Sequence, residues 1–360
     1  MIDWKTECGR GKPSFGFLTF DAFLVDRAFV TTQGCTTPMD GMTDIRIDRL
    51  PSFQHTLAAS ISCVGVGLHS GQRVELTLLP AAPGTGIVFR RVDLGIDINA
   101  GANAVTDTRL CTQISHPDQP RACVRTVEHL MAALAGTGID NAVVELDGEE
   151  VPVLDGSSAS FVFLIDCAGR RAQAAPRHAI QVLRPVRVAT GESWAELRPG
   201  GATLEMSLSI DFPAAAIGRQ ALSLALTEQG FRGVLANART FTMLHEIEAL
   251  QAAGLARGGS LANAIVVDGD RVVNPEGLRA PDEFVRHKML DAVGDLAMAG
   301  APILGRFVAH RTGHALNNRL LRALFADASA WRRISLDTSA WSQAAYAQAG
   351  FTRETAAEAA

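Results

Sequence analysis

The sequence predicts an α+β fold made of two similar domains that arose by internal duplication, each layering helices against a β-sheet. Three observations carry this prediction. Short β-branched runs separated by turns begin at His55, as in QRVELTLLP and GIVFRRVDL, which is the pattern of strands. A helical pattern follows each group of strands, and the two helices open alike, with Val127-Glu128-His129 and Val285-Arg286-His287. The order of strands, helix, strand and helix then recurs, with a period too long for a solenoid.

Residues 1–50 mix Gly, Pro, Thr and Asp without clean periodicity and read as a loose N-terminal extension, with Met39 and Met42 just ahead of the first strand-like run. The first α+β domain covers residues 51–175. Its strands lead into a helix over 126–136, with Thr126 placed as N-cap and Gly136 as the stop. A strand in IDNAVVELDG and a second helix over 157–168 complete it. A Pro-containing junction at 175–177 opens the second domain, residues 176–326. There, strands over 178–212 precede a helix in FVRHKMLDAVGDLAMAG, a strand in ILGRFVAHRTG and a helix from His314. An insert at 241–273 reads as helix, Gly-rich turn and strand. Residues 327–360 read as a tail of weak helical character.

Composition narrows the function. A formal net charge of -5 and a pI near 6.0 give no polycationic footprint, so nucleic acid is excluded as a partner. The apolar stretch at 14–30 is broken by Asp21, Asp26 and Arg27, and neither a signal peptide nor a membrane span is expected. Six cysteines without a CxxC pair fit a reducing cytoplasm. Nearly every cation is Arg; Lys5, Lys12 and Lys288 are the only lysines.

Candidate chemistry concentrates on the helix in 284–300. Val285, Met289, Ala292, Val293 and Leu296 form an apolar stripe, while His287, Asp291 and Asp295 recur four apart. Residues i and i+4 differ by about 40° around the axis, so a His nitrogen and a carboxylate oxygen can converge on one ion. A solvated acidic face is the alternative. His129, at the duplicate position of the other helix, supplies a third ligand across the domain interface, and three protein ligands with an open fourth position make a catalytic zinc site. Glu128 beside it is suited to act as general base, or else only to favourable charge at a helix N-terminus. His314 is the candidate general acid, with a capping or surface histidine as its alternative. GVGLHSG at 65–71 lacks the dinucleotide-binding spacing and reads as a tight turn between strands, with His69 near the site.

At these residues the sequence resembles the UDP-3-O-acyl-N-acetylglucosamine deacetylases. The resemblance covers residues 56–326 through GVGLHSG, DTRLCT, TVEHLMAALAGTGIDNAVVELDG, VPVLDGSS, ARTF, FVRHKMLDAVGDL and GHALNN, in order. It implies two helix-on-sheet domains with the active site between them. It further implies a Zn²⁺ ion, or Fe²⁺ in its place, on His129, His287 and Asp291, and water activation by Glu128. His314 is then the acid, Thr240 of ARTF polarises the acetyl carbonyl, and Lys288 and Asp295 support substrate and His314. In that family the insert lines a passage for the acyl chain. Leu110, Phe241, Gly259, Ser260, Leu261 and Val266 become the substrate contacts here, unless the insert residues only form a small core of their own. The expected substrate is UDP-3-O-(3-hydroxyacyl)-N-acetylglucosamine, hydrolysed by a cytoplasmic monomer. Another metal-dependent N-acyl sugar amidase and a catalytically silent nucleotide-sugar binding protein are the rival readings. A silent protein would have lost a ligand or Glu128, and neither is lost.

Overall fold

In the computed structural model, which describes residues 50–336, the expected strands and helices assemble into an α+β architecture. The N-terminal extension over residues 1–49 and the part of the C-terminal tail over residues 337–360 lie outside the described residues. In the first half, five strands pair in the order Ile61–Val66, Arg73–Pro80, Ala142–Leu146, Ile87–Arg91 and Ile96–Asn99. Val74, Leu76 and Leu78 alternate inward along one of them and are buried, as period-2 side chains on a half-buried sheet must be. Helices α1 (Glu128–Gly136) and α2 (Ala159–Ala168) pack together beside it.

The second half is built on a seven-stranded sheet in which Ile303–His310 is central. It pairs antiparallel with Ser193–Arg198 and parallel with Leu204–Asp211 and His178–Val182. Between the sheet and the insert lies a helical turn, α3 (Glu228–Gly230), continued in a π-helical turn over Phe231–Leu235. The insert holds Phe241–Met243, helix α4 (Leu244–Ala252), Ile265–Asp268 and Arg271–Val272, its three strands forming a small sheet. Helix α5 (Glu283–Ala297) lies on Leu204–Asp211 and Arg219–Ala225, and α6 (His314–Ala326) on Val186–Thr190 and Ser193–Arg198. One continuous apolar cluster includes Leu130 of α1, Phe284 and Leu296 of α5, and Leu320 of α6.

Four local expectations are corrected. Thr126 does not cap α1: it sits at φ 56°, outside the helix, and its hydroxyl donates to Glu150 Oε1 at 3.0 Å. Glu150 claims it because that buried carboxylate also gathers the backbone N–H groups of His69 and Ser70, at 2.8 Å each, and so organises the GVGLHSG turn. Gly136 does not stop the helix either. It is the last helical residue, and a Cβ there would strike the Phe231 ring; the left-handed residue is Gly138 at φ 74°. The second helix starts at Ala159 rather than 157, since the Ser157 and Ser158 hydroxyls bond to the Asp155 carboxylate and the His129 carbonyl. Finally, Trp331–Ser335 is a strand, not part of a weakly helical tail. It pairs antiparallel with His178–Val182, and sheet pairing overrides local propensity.

Candidate active site

The site forms where α1 meets α5. Their backbones approach closely because Gly294 stands at the contact, where a Cβ would collide with the Glu128 carbonyl. That approach brings His129 of one helix against His287 and Asp291 of the other. All three are buried, and their donor atoms lie within 4.8 Å of one another. Asp291 Oδ1 is 3.4 Å from His287 Nε2 and 3.6 Å from His129 Nε2. These separations are long for hydrogen bonds, and Oδ1 is buried with no hydrogen-bond partner. Donors arranged tetrahedrally at about 2.1 Å from an ion stand about 3.4 Å apart. The orphaned oxygen and two imidazole nitrogens therefore fit a divalent metal ion.

The neighbours prepare these donors. His287 Nδ1 donates to the Ala238 carbonyl at 3.0 Å, which leaves Nε2 as the free lone pair. Burial, with His129 and Lys288 adding to it against Asp291, pushes the His287 imidazole down to about 4, so it is neutral. Burial alone would raise the Asp291 carboxyl, but the charges of Lys288 and His314 hold it well below the usual carboxylate range. Lys288 Nζ donates to Asp291 Oδ2 at 2.7 Å. Burial opposes the Lys288 charge, yet Asp291, Asp295 and Glu128 together raise it.

Beside these three donors stand two further titratable side chains. Glu128 is buried, and burial raises its pKa despite His314 and His129. His314, the first residue of α6, places Nε2 at 3.8 Å from Glu128 Oε1. Its Nδ1 donates to Asp295 Oδ2 at 2.9 Å. Burial disfavours the imidazolium, but Asp295 and Glu128 outweigh that and push it up to about 9.

Around this centre, Thr240 and Phe241 follow Ala238, the acceptor of the His287 N–H. The Phe241 ring lies 6.2 Å from the His287 ring and edge-on to Phe284 at 5.0 Å. Arg239 forms a buried ion pair with Glu283 at 3.0 Å, fastening the ARTF segment to the start of α5. The other expected substrate contacts are organised by their own loops. Gly259 closes a turn on Ala256, Ser260 N–H donates to Asn263, and the Leu261 carbonyl accepts from Asn274. Val266 is fully buried, and Leu110 is 53% exposed at φ 68°. Sequence reasoning missed Thr112, Asn317, Glu150 and the Arg239–Glu283 pair, whose roles rest on contacts between distant segments. The exception in principle was Asn317, three residues from His314 in GHALNN and on the same helix face.

A family model described as UDP-3-O-acyl N-acetylglycosamine deacetylase matches residues 54–326. The chain is 53% identical over 283 residues to the UDP-3-O-acyl-N-acetylglucosamine deacetylase of Phenylobacterium zucineum, covering 78% of this chain and 96% of the relative. Enzymes of the same name from Idiomarina loihiensis and Shewanella frigidimarina are 49% and 46% identical, over 79% and 80% of this chain and 93% and 94% of their own lengths. Among the described residues, no helix is long and apolar enough to cross a membrane. With most of its length matched in this way, the chain belongs to the UDP-3-O-acyl-N-acetylglucosamine deacetylase family.

Proposed function

We propose that this chain hydrolyses the N-acetyl group of UDP-3-O-(3-hydroxyacyl)-N-acetylglucosamine, releasing acetate in the committed step of lipid A biosynthesis, as a cytoplasmic monomer. The observation that carries the reading is the meeting of an orphaned Asp291 oxygen with two imidazole nitrogens, beside a buried carboxylate and a charged histidine. His129, His287 and Asp291 would hold Zn²⁺, with Fe²⁺ accepted by the same donor set. Such an ion supplies Lewis-acid chemistry, acidifying a water and polarising the amide carbonyl.

The protein's own residues do the rest. Glu128, with its raised pKa, takes the proton of the attacking water. The Thr240 hydroxyl donates toward the developing oxyanion. His314, held by Asp295, delivers a proton to the leaving amine. Lys288 holds the far oxygen of Asp291 and keeps a positive charge at the edge of the site. Water is the nucleophile, so no covalent enzyme intermediate forms.

The acyl chain takes no part in this chemistry but needs shelter from water, and Phe241, Gly259, Ser260, Leu261 and Val266, with Leu110, are assigned to its side of the site. Half-buried Leu261 is the residue able to line such a passage, whereas Val266 is fully buried. Each methylene fully buried is worth about 0.8 kcal/mol, so after a discount for incomplete burial and chain ordering kcat/KM is expected to rise severalfold per two added carbons until the passage is full. Leu261→Trp is expected to penalise long-chain substrates far more than short ones, with metal content unchanged. Steady-state kinetics on a series of synthetic acyl lengths checks this. Equal losses at all lengths, or a flat series in the parent enzyme, return these residues to packing alone.

A further inference from the structure

We infer that Thr112 is a positioning residue for the deacetylation, its one side chain and backbone setting the general base and the general acid at a fixed separation. The inference rests on the function proposed above. Thr112 is buried and lies in the irregular segment between the short strand Val105–Asp107 and Gln113–Ser115, so no ladder dictates where it stands. Instead, each of its polar groups is committed to the site. Its carbonyl accepts from the Val127 N–H at 3.3 Å, which ties it to the start of α1. Its own N–H donates to Glu128 Oε2 at 3.0 Å. Its hydroxyl donates to Asp295 Oδ1 at 2.6 Å, bridging to a helix 183 positions later in the chain.

The consequence is geometric. With Oε2 of Glu128 occupied by Thr112, Oε1 is the oxygen that faces His314 Nε2 at 3.8 Å. Asp295 in turn accepts from Thr112 on Oδ1, from Asn317 Nδ2 on Oδ2 at 2.8 Å, and from His314 Nδ1. Thr112 and Asn317 thus pin the carboxylate plane from opposite ends, and the imidazole that bonds to that plane has its Nε2 directed at Glu128. Removing only the Thr112 hydroxyl leaves both backbone bonds in place but leaves Asp295 held from the Asn317 end alone, so that its carboxylate can tilt, and His314 with it. The base keeps its place while the acid loses its aim. A misplacement of about 1 Å in such a group can cost on the order of 10²-fold in rate.

The test compares Thr112→Val, Thr112→Ala and Thr112→Ser in the full chain loaded with zinc, measuring acetate release, metal content and Tm. The parent enzyme must first release acetate from the synthetic substrate; if it does not, the proposed function fails and the role of Thr112 falls with it. With an active parent, Thr112→Val and Thr112→Ala are each expected to lower kcat about 10- to 100-fold with KM and metal stoichiometry unchanged. Thr112→Ser, which keeps the hydroxyl, is expected to recover most of that loss. In a His314→Ala background, Thr112→Ala is expected to add little further loss, because both changes remove one function. Loss of kcat in Thr112→Ser equal to that in Thr112→Ala, a rise in KM in place of the fall in kcat, or full additivity with His314→Ala would overturn the assignment. Should Thr112→Val not fold, the Ala and Ser pair alone decides by the same criteria.

Discussion

Glu128→Gln is expected to keep its metal and lose kcat by about 10²- to 10⁴-fold, the usual worth of general-base catalysis. The amide matches the carboxylate in shape and still offers an oxygen to the Thr112 N–H, so the loss reports proton abstraction rather than collapse of the site. The pH profile sharpens the assignment. Burial raises the Glu128 pKa, whereas a bound dication favours its carboxylate form; a base acts only when unprotonated, so activity in the parent is expected to fall on the acid side as Glu128 takes up its proton. His314 must be protonated to act as acid and is pushed up to about 9, so activity is expected to fall as pH rises through the basic limb. A bound dication repels the imidazolium and brings that limb lower. His314→Ala is expected to lower kcat to a similar extent and to flatten the basic limb. An unchanged basic limb in that variant would remove His314 from the acid role and leave Glu128 to carry the proton both ways.

His287→Ala is expected to abolish both bound metal and turnover. Of the three donors proposed to hold the ion, His287 is the most fully prepared: neutral because burial pushes it down to about 4, and oriented by its bond to the Ala238 carbonyl. Without it, Asp291 Oδ1 keeps one imidazole partner at 3.6 Å, and two donors do not hold a catalytic ion. Metal analysis of the purified variant, beside a folded-state check by circular dichroism, measures the outcome. Stoichiometric metal with near-normal turnover would show the ligand assignment to be wrong.

Much of the site was legible in the sequence because its key spacing is local. His287, Asp291 and Asp295 share a helix face by periodicity alone, and the matching Val-x-His openings pointed to His129. What stayed hidden depends on pairs far apart in the chain. Nothing in DTRLCT announces that the Thr112 hydroxyl meets Asp295, nor in ARTF that Arg239 is buried against Glu283. Thr126 shows the limit in another form. A threonine before a helical run has the chemistry of an N-cap, yet the Glu150 carboxylate, 24 residues on, competes for the same hydroxyl and wins. Likewise the edge strand Trp331–Ser335 follows from its open partner His178–Val182, which its own residues do not reveal.

The most direct measurement of the central claim follows metal content and acetate release together while a chelator strips the purified chain and zinc is then returned. The expected result is one ion per chain, activity that falls in proportion to the metal removed, and recovery of both on reloading. A metal-free chain that still deacetylates UDP-3-O-acyl-N-acetylglucosamine at the parent rate would contradict it.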